Sequence, residues 1–146
     1  MTAKLELIDN DYNEELFTEV LKDVKQRKGQ AKFRKLLLTK HITCALCSVE
    51  AYHTRASHIK PWASSSDYER LYINNGLLLC PNHDYLFDKG LISFGESENI
   101  LISRSLSSSQ RMSFNVNEKL CIQISEKMEK YIVITINLSL NHKQQA

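Results

Sequence analysis

Two pairs of potential metal ligands, each separated by two residues, constrain this chain more than any other feature. Cys44 and Cys47 form the first pair, and Cys80 and His83 form the second. A two-residue gap lets one tight turn direct both side chains at a single ion, and four such ligands complete a tetrahedral structural zinc site. The alternative is a set of buried thiols, because free cysteine is among the most buried residue types. Two independent pairs at the same spacing favour zinc.

The length and composition of the chain fit one domain with short appended elements. Its 146 residues are 42% hydrophobic and 25% charged, which supports a core of modest size. A structural metal contributes most where the core is small.

The chain has no apolar run of membrane-spanning length, and residues 1–9 show neither a long apolar stretch nor a cleavage site. We therefore expect a cytoplasmic protein without membrane contact. Disulfides are rare in the cytosol, so close cysteine pairs there favour metal binding over bridges.

Two helices are predicted before the first cysteine pair. Residues 11–28 carry apolar side chains at helical spacing, and Gly29 is typical of a helix end. A second helical pattern covers about residues 30–40. Residues 4–8 predict a short strand.

The same region holds the densest basic stretch of a chain whose formal net charge is only +2. One interpretation is a solvated helix face, and the other is a set of phosphate contacts that position a duplex without reading its sequence. Both remain open for Lys22, Lys25, Arg27, Lys28, Lys32, Arg34, Lys35 and Lys40.

Residues after the first pair predict short elements. Residues 63–70 are polar without an apolar period, which predicts a loop. Residues 76–79 form a continuous apolar run typical of a buried strand, and Pro81 favours the start of a helix. The strings L-I-S-F and I-L-I-S flank G-E-S-E-N, which predicts a β-hairpin.

The C-terminal part predicts a loop, a helix and a strand. Residues 105–113 are Ser-rich and predict a surface loop, and residues 117–130 predict a helix. Strict alternation over residues 132–140 predicts a strand, paired with residues 4–8 or with a second subunit. Cys121 has no partner at ligand spacing, so we expect it in the core.

His58 lies between the two ligand pairs and is the candidate for acid–base chemistry. Phosphodiester hydrolysis needs a water deprotonated near neutral pH, and the ordinary pKa of histidine suits that task. It also needs a divalent cation to neutralise charge on the scissile phosphate. The alternative for an isolated histidine is a hydrogen-bonded core residue. The bracketing ligand pairs favour the catalytic interpretation.

Three strings closely resemble the HNH endonuclease family: G-Q-A-K-F-R-K-L-L-L, R-A-S-H-I-K-P-W and N-G-L-L-L-C-P-N-H-D-Y-L-F-D-K-G-L-I-S-F. The resemblance covers about residues 29–95 and leaves residues 1–28 and about 105–146 outside. It implies a ββα-metal fold, in which two antiparallel strands and a helix surround one divalent cation.

The resemblance also implies roles for individual residues. His58 would be the general base, and Asn75 would either orient the loop and the base or bind the cation directly. Asp84 falls on the metal-ligand position of the family's final histidine, so this chain reads H-N-D, and aspartate is a good ligand for Mg²⁺ or Mn²⁺. Ser57 stands where many relatives carry an acidic or histidine ligand. Water or DNA phosphate would then fill more positions on the cation.

Two metals and a phosphate-binding surface are therefore predicted. The zinc is expected to be structural, because four protein ligands leave no open coordination position. The catalytic cation is Mg²⁺ or Mn²⁺, held by Asp84 and Asn75. Arg55 and Lys60 are the candidates for contacts with phosphate.

The predicted fold class is α+β, with a small ββα-metal (His-Me finger) core, flanking N-terminal helices and a C-terminal hairpin, helix and strand. The predicted divisions are an N-terminal helical extension (residues 1–28), a nuclease domain (residues 29–104) and a C-terminal extension (residues 105–146).

The predicted function is a metal-dependent DNA endonuclease of restriction, phage or defence biology, acting as a homodimer or with a partner subunit. One alternative is a zinc-stabilised DNA-binding module without cleavage, which Ser57 keeps open. The other is an effector nuclease that cleaves RNA.

Overall fold

The computed structural model describes residues 10–145, with side chains from residue 15 to residue 135. The helices are α1 (Asn10–Leu38), α2 (Asp67–Leu71), α3 (Pro81–Asp88), α4 (Ser108–Ser113) and α5 (Glu126–Gln145). The strands are β1 (Arg55–His58), β2 (Gly76–Leu79), β3 (Ile92–Phe94) and β4 (Ile100–Ile102). Short 3₁₀ turns occupy Ala51–His53, Trp62–Ser64 and Ile73–Asn75. The strand predicted over residues 4–8 lies outside the described residues.

An antiparallel pair of strands followed by a helix forms the centre of the fold. Strand β1 pairs with β2, with Arg55 opposite Leu79 and His58 opposite Gly76. All four residues of β2 are buried, as the apolar run predicts. Helix α3 begins at Pro81 and packs against both strands. This ββα unit and the mixture of helices with small antiparallel sheets confirm the predicted α+β class.

Helix α1 is one continuous helix, so the prediction of two helices separated at Gly29 was wrong. Gly29 lies in the helix interior, where a Cβ atom would come within 2.5 Å of Cη2 of Trp62. The absence of a side chain at Gly29 therefore allows the Trp62 ring to approach α1 closely, and the glycine does not end the helix. Farther along, Phe33 and Leu37 are buried against β2 in a small second core with Leu78.

The predicted hairpin is present as β3 and β4. Ile92 pairs with Ile102 and Phe94 with Ile100, and Glu98 adopts a positive φ of 68° between the strands. Both Ile92 and Phe94 are buried in the main core. The hairpin packs against α3 and α5 and so joins the ββα unit to the C-terminal part of the chain.

The C-terminal predictions were wrong in three places. Residues 105–113, predicted as a loop, contain α4, which starts with a capping box between Ser107 and Gln110. Most of residues 117–130, predicted as a helix, lie before α5, and Asn99 forms an isolated bridge with Cys121. Residues 132–140, predicted as a strand, lie within α5.

The apolar spacing in α5 explains why the strand prediction failed. Met128, Tyr131, Ile132 and Thr135 are buried at i, i+3, i+4 and i+7, which is also the spacing of one helix face. Ser93 of β3 donates a hydrogen bond of 3.3 Å to Thr135. Packing against β3 decides the structure of this segment and overrides its β propensity.

Two smaller predictions also changed. The polar segment 63–70 carries part of α2, whose capping box joins Ser66 and Glu69. Cys121 is exposed and does not belong to the core. Among the described residues, no helix has the length and apolar character needed to cross a membrane.

Candidate functional site

Three thiols and one imidazole converge where the Cys44–Cys47 segment meets the start of α3. The ligand atoms of Cys44, Cys47, Cys80 and His83 all lie within 4.8 Å of one another. Three of these residues are buried and Cys47 is half-buried. Within the described part of the chain, they are the one group of three or more His, Cys, Asp or Glu side chains close enough to share an ion.

The backbone prepares Cys44 as a thiolate ligand. Its Sγ accepts hydrogen bonds from the N–H groups of Leu46 (3.5 Å) and Cys80 (3.2 Å). Burial alone would raise the pKa of Cys44, but hydrogen bonds from His83 and from these backbone groups lower it to about 6. Burial is the main cause that raises the pKa of Cys47 to about 12, and the neighbouring Cys44 thiolate adds to this rise because a second negative charge beside the first is unfavourable. A divalent cation would offset both effects, and the donor set is one that zinc prefers.

His83 is oriented by the C-terminal part of the chain. Its Nδ1 lies 3.7 Å from Sγ of Cys44, while Nε2 lies 3.0 Å from the carbonyl oxygen of Asn115. Because a carbonyl only accepts, Nε2 carries a proton, and Nδ1, which faces the thiols, is the nitrogen that would bind a metal in place of its hydrogen bond to Cys44. Asn115 adopts a positive φ of 55°. The sequence offers no signal for this contact, because the backbone makes it.

His83 and Asp84 are consecutive on α3 but face different parts of the domain. His83 is fully buried among the cysteines, whereas Asp84 faces β1 and accepts a hydrogen bond from Oγ of Ser57. Successive side chains on a helix diverge by about 100°, which separates the two. The structure therefore brings Asp84 to the strand that carries His58.

A cleft of about 900 Å³ opens between α1, β1 and α3. Its lining includes three of the sequence-predicted residues, His58, Asp84 and Arg55, together with Ser57. Neither Asn75 nor Lys60 lines it.

His58 is a half-buried base whose proton position is determined by one hydrogen bond. Its Nε2 lies 2.8 Å from the carbonyl oxygen of Arg70. This acceptor keeps the proton on Nε2 and leaves Nδ1 as the basic nitrogen. Burial lowers the pKa of His58, an effect that the Arg70 carbonyl partly opposes, so the ring is neutral at neutral pH.

Two aromatic rings hold the His58 imidazole in place. Phe33 of α1 stacks on it with centroids 3.9 Å apart, and Trp62 meets it edge-on at 5.6 Å. Arg70 in turn lies over the Trp62 ring, 4.5 Å from its centroid. The helical pattern over residues 30–40 predicts a helix but does not indicate which strand that helix packs against.

Asn75 is a buried structural residue in this arrangement. Its Oδ1 accepts a hydrogen bond of 2.8 Å from the N–H of Lys60, and its Nδ2 donates one of 3.0 Å to the carbonyl of Glu69. The side chain is fully buried. Through these bonds Asn75 links the chain after His58 to α2. The two roles predicted for Asn75, orienting the loop and the base or binding the catalytic cation, stay predictions.

Of the two residues predicted to contact phosphate, Arg55 has an available charge and Lys60 is paired with an acidic side chain. Arg55 is exposed at the cleft. Lys60 forms a salt bridge of 2.9 Å with Glu69, and the Ser66 N–H together with the Lys60 ammonium lowers the pKa of Glu69 to about 2. Lys60 is therefore occupied in holding the loop.

Asp88 and Arg34 are also among the residues that line the cleft. Asp88 lines the cleft one helical turn after Asp84, and the i, i+4 spacing could have identified it. Arg34 also lines it, but its guanidinium donates to the carbonyls of Thr54, Ala51 (3.2 Å) and Tyr52 (3.3 Å). Arg34 thus ties α1 to the segment before β1.

The ββα unit carries a Cys₃His cluster at one end, and a histidine and an aspartate share one cleft. Together these features define a small ββα-metal domain. Residues 44–95 match the family model described as HNH endonuclease, so this segment is similar to the domain of that family. The similarity suggests a nuclease, and the matched segment contains both ligand pairs. Comparison with curated proteins finds no match to the chain.

Proposed function

We propose that this protein is a metal-dependent DNA endonuclease in which His58 is the general base. The observation that carries the proposal is the hydrogen bond between Nε2 of His58 and the Arg70 carbonyl, in a cleft that Asp84 also lines. It leaves a neutral imidazole with a basic Nδ1. That is the protonation state a base needs to activate water near neutral pH.

In this proposal the groups around His58 assist proton transfer from water to its imidazole. Nδ1 takes a proton from the attacking water, while the Arg70 carbonyl stabilises the proton already on Nε2 and the imidazolium that forms. The stacked Phe33 ring limits rotation of the imidazole. A base fixed in this way reaches the reacting water without reorganising in the transition state.

The donor set of the cleft fits a hard divalent cation such as Mg²⁺ or Mn²⁺. The Asp84 carboxylate would hold it, with Asp88 as a second carboxylate in the same cleft. Such a cation supplies Lewis-acid stabilisation of charge on the scissile phosphate and the leaving oxygen. Ser57 positions Asp84 through its hydroxyl donation and leaves the remaining coordination positions to water and phosphate.

The Cys₃His cluster is proposed as a structural zinc site, separate from the cleft. Four protein ligands complete a tetrahedral site and leave no position for substrate. Its function is to fix α3 relative to the segment before β1, which in turn holds Asp84 next to Ser57.

We propose DNA as the substrate, with Arg55 contacting its phosphates at the cleft. Lys22, an exposed lysine of α1, lies one helical turn before Gln26, which lines the cleft, so it adds a cation to that side of the helix. A cytoplasmic nuclease of this size suits restriction, phage or defence biology. RNA cleavage is the second candidate, since phosphate contacts alone do not distinguish the two polymers.

Cleavage of supercoiled plasmid in the presence of Mg²⁺ or Mn²⁺ tests the proposal. The unmodified protein is expected to nick or cut the plasmid, and His58→Ala and Asp84→Ala are each expected to lose at least about a hundredfold in rate. His53→Ala is the matched control, because His53 is an exposed histidine five residues upstream and outside the cleft.

The variants also separate the two metal sites. Asp84→Ala is expected to retain its zinc content, and loss of zinc would show that the roles of His83 and Asp84 are reversed. Wild-type protein that binds DNA but cuts no more than His58→Ala would identify a binding module. Parallel incubation with single-stranded RNA distinguishes an RNA-cleaving effector.

A further inference from the structure

The N-terminal half of α1 carries an exposed apolar stripe. Leu16, Phe17, Val20, Leu21 and Val24 are between 42% and 65% exposed. We call these five residues the α1 stripe. Contiguous exposed apolar surface of this kind marks interaction sites in soluble proteins.

The stripe points away from the domain to which α1 is attached. Phe33 follows Val24 by nine residues, which at 100° per residue places the two on opposite sides of the helix. Phe33 is completely buried in the domain, so the side of α1 that carries Val24 faces outward. With respect to the part of the chain that the structure describes, the five side chains of the α1 stripe remain 42% to 65% exposed.

We propose that the α1 stripe pairs with the same stripe of a second copy of this chain, as a short parallel two-helix coiled coil. Phe17 and Val24 are seven residues apart and occupy a positions, and Val20 lies between them at a d position. This apolar seam spans residues 17–24, little more than one heptad, and the next d position is occupied by Arg27. The association is therefore expected to be weak and dependent on concentration.

The residues beside the seam favour a second copy of this chain as the partner and a parallel orientation of the two helices. Asp23 occupies a g position and Lys28 the following e position, and in a parallel pair g of one helix faces that e of the other. Asp23 thus meets Lys28 of the second copy, twice per dimer. Leu16 and Leu21 occupy the preceding g and e positions and form an apolar pair in the same way.

An antiparallel pair would lose this charge complementarity. It sets g against g and e against e, so that Asp23 and Lys28 no longer face each other. Both side chains are exposed, and among the described residues neither of them forms a salt bridge. They are available for pairing between subunits.

The apolar seam ends at Val24, and the next a position, Ala31, lines the cleft together with Gln30 and Arg34. Gln26 also lines the cleft, from a c position outside the seam. A parallel dimer therefore holds two clefts at the same end of the paired helices. Such an arrangement suits cleavage of both strands of a duplex, although the pairing itself does not depend on nuclease activity.

Sedimentation of the full chain from low to high micromolar concentration tests the proposal. The wild type is expected to shift from monomer to dimer, and Phe17→Glu is expected to raise the dissociation constant about tenfold or more. Ile42→Glu is the matched control, because Ile42 is an apolar residue that is 84% exposed outside α1. Zinc content and circular dichroism verify that each variant is folded.

Charge exchange tests the partner and the orientation. Asp23→Lys and Lys28→Asp are each expected to weaken the dimer several-fold, and the double exchange is expected to restore it. Restoration supports a parallel pair of identical chains. A wild type that stays monomeric, a dimer unaffected by Phe17→Glu, or a double exchange that fails to restore the dimer would each overturn the proposal.

Discussion

The phenyl ring of Phe33 lies stacked on the imidazole of His58, with centroids 3.9 Å apart and planes inclined by 11°. Phe33 also covers Gly76, the residue opposite His58 in β2, where a Cβ atom would come within 2.2 Å of its ring. The ring therefore joins α1 to the strand that carries the proposed base. One side chain thus supports both the fold and the position of His58.

Removal of this ring is expected to lower both stability and activity. Phe33→Ala should reduce the free energy of unfolding by about 3–5 kcal/mol, the usual cost of deleting a fully buried phenyl group. Urea denaturation measures this effect. Tyr52→Ala is the control, because Tyr52 is 84% exposed and its loss should change stability by about 0.5 kcal/mol or less. If Phe33→Ala lowered the free energy of unfolding by as little as the control does, this account would be contradicted.

Gly29→Ala is expected to destabilise the protein, although alanine is normally the better helix former by about 1 kcal/mol. The new Cβ would lie 2.5 Å from Cη2 of Trp62, so the indole must move away from α1 and from His58. Thermal unfolding measures the sign of the effect.

A double-mutant cycle isolates the cause of that effect. In a Trp62→Ala background the space beside Gly29 is open, and Gly29→Ala should then become neutral or stabilising. Destabilisation of equal size in both backgrounds would mean that the clash with the Trp62 ring is not responsible.

Loss of the zinc cluster is expected to unfold the ββα unit. Cys44→Ser removes the thiol that accepts two backbone hydrogen bonds, and metal-binding free energy is folding free energy in small domains. Metal content by mass spectrometry and the thermal midpoint should both fall. Cys121→Ser changes the exposed cysteine outside the cluster and should leave both unchanged. Full zinc content in Cys44→Ser would refute the assignment.

The pH dependence of cleavage should reveal the lowered pKa of His58. Protonated imidazole cannot accept a proton, so the rate should rise with pH through the pKa of His58 and level off above it. Burial lowers this pKa, and the midpoint should therefore lie below the ordinary value of 6.5. Single-turnover rates at saturating metal provide the measurement. A midpoint at or above 6.5 would contradict a buried base.

The same group links stability to pH. The unfolded chain binds a proton to His58 at higher pH than the folded chain does, so this residue lowers folding stability as pH falls below 6.5. The loss is complete once pH passes below the folded pKa. His58→Ala should reduce this part of the pH dependence, which denaturation at several pH values can measure.

The sequence by itself determined the local features of the domain. Each of these features is encoded within a few residues, because spacing and turn chemistry act locally. They are the two ligand pairs, the apolar run of β2, Pro81 at the start of α3 and the turn between β3 and β4. The separation of His83 from Asp84 also follows from sequence, since adjacent helical residues point in different directions.

Tertiary structure alone decided the features that depend on distant partners. Gly29 continues a helix because Trp62 packs against it, and residues 132–140 are helical because the preceding turn of α5 buries its apolar face against β3. Asn75 is committed to backbone hydrogen bonds, and the Asn115 carbonyl orients His83. None of these contacts leaves a pattern in the chain. Local propensities differ by about 1 kcal/mol or less per residue, and tertiary packing therefore outweighs them.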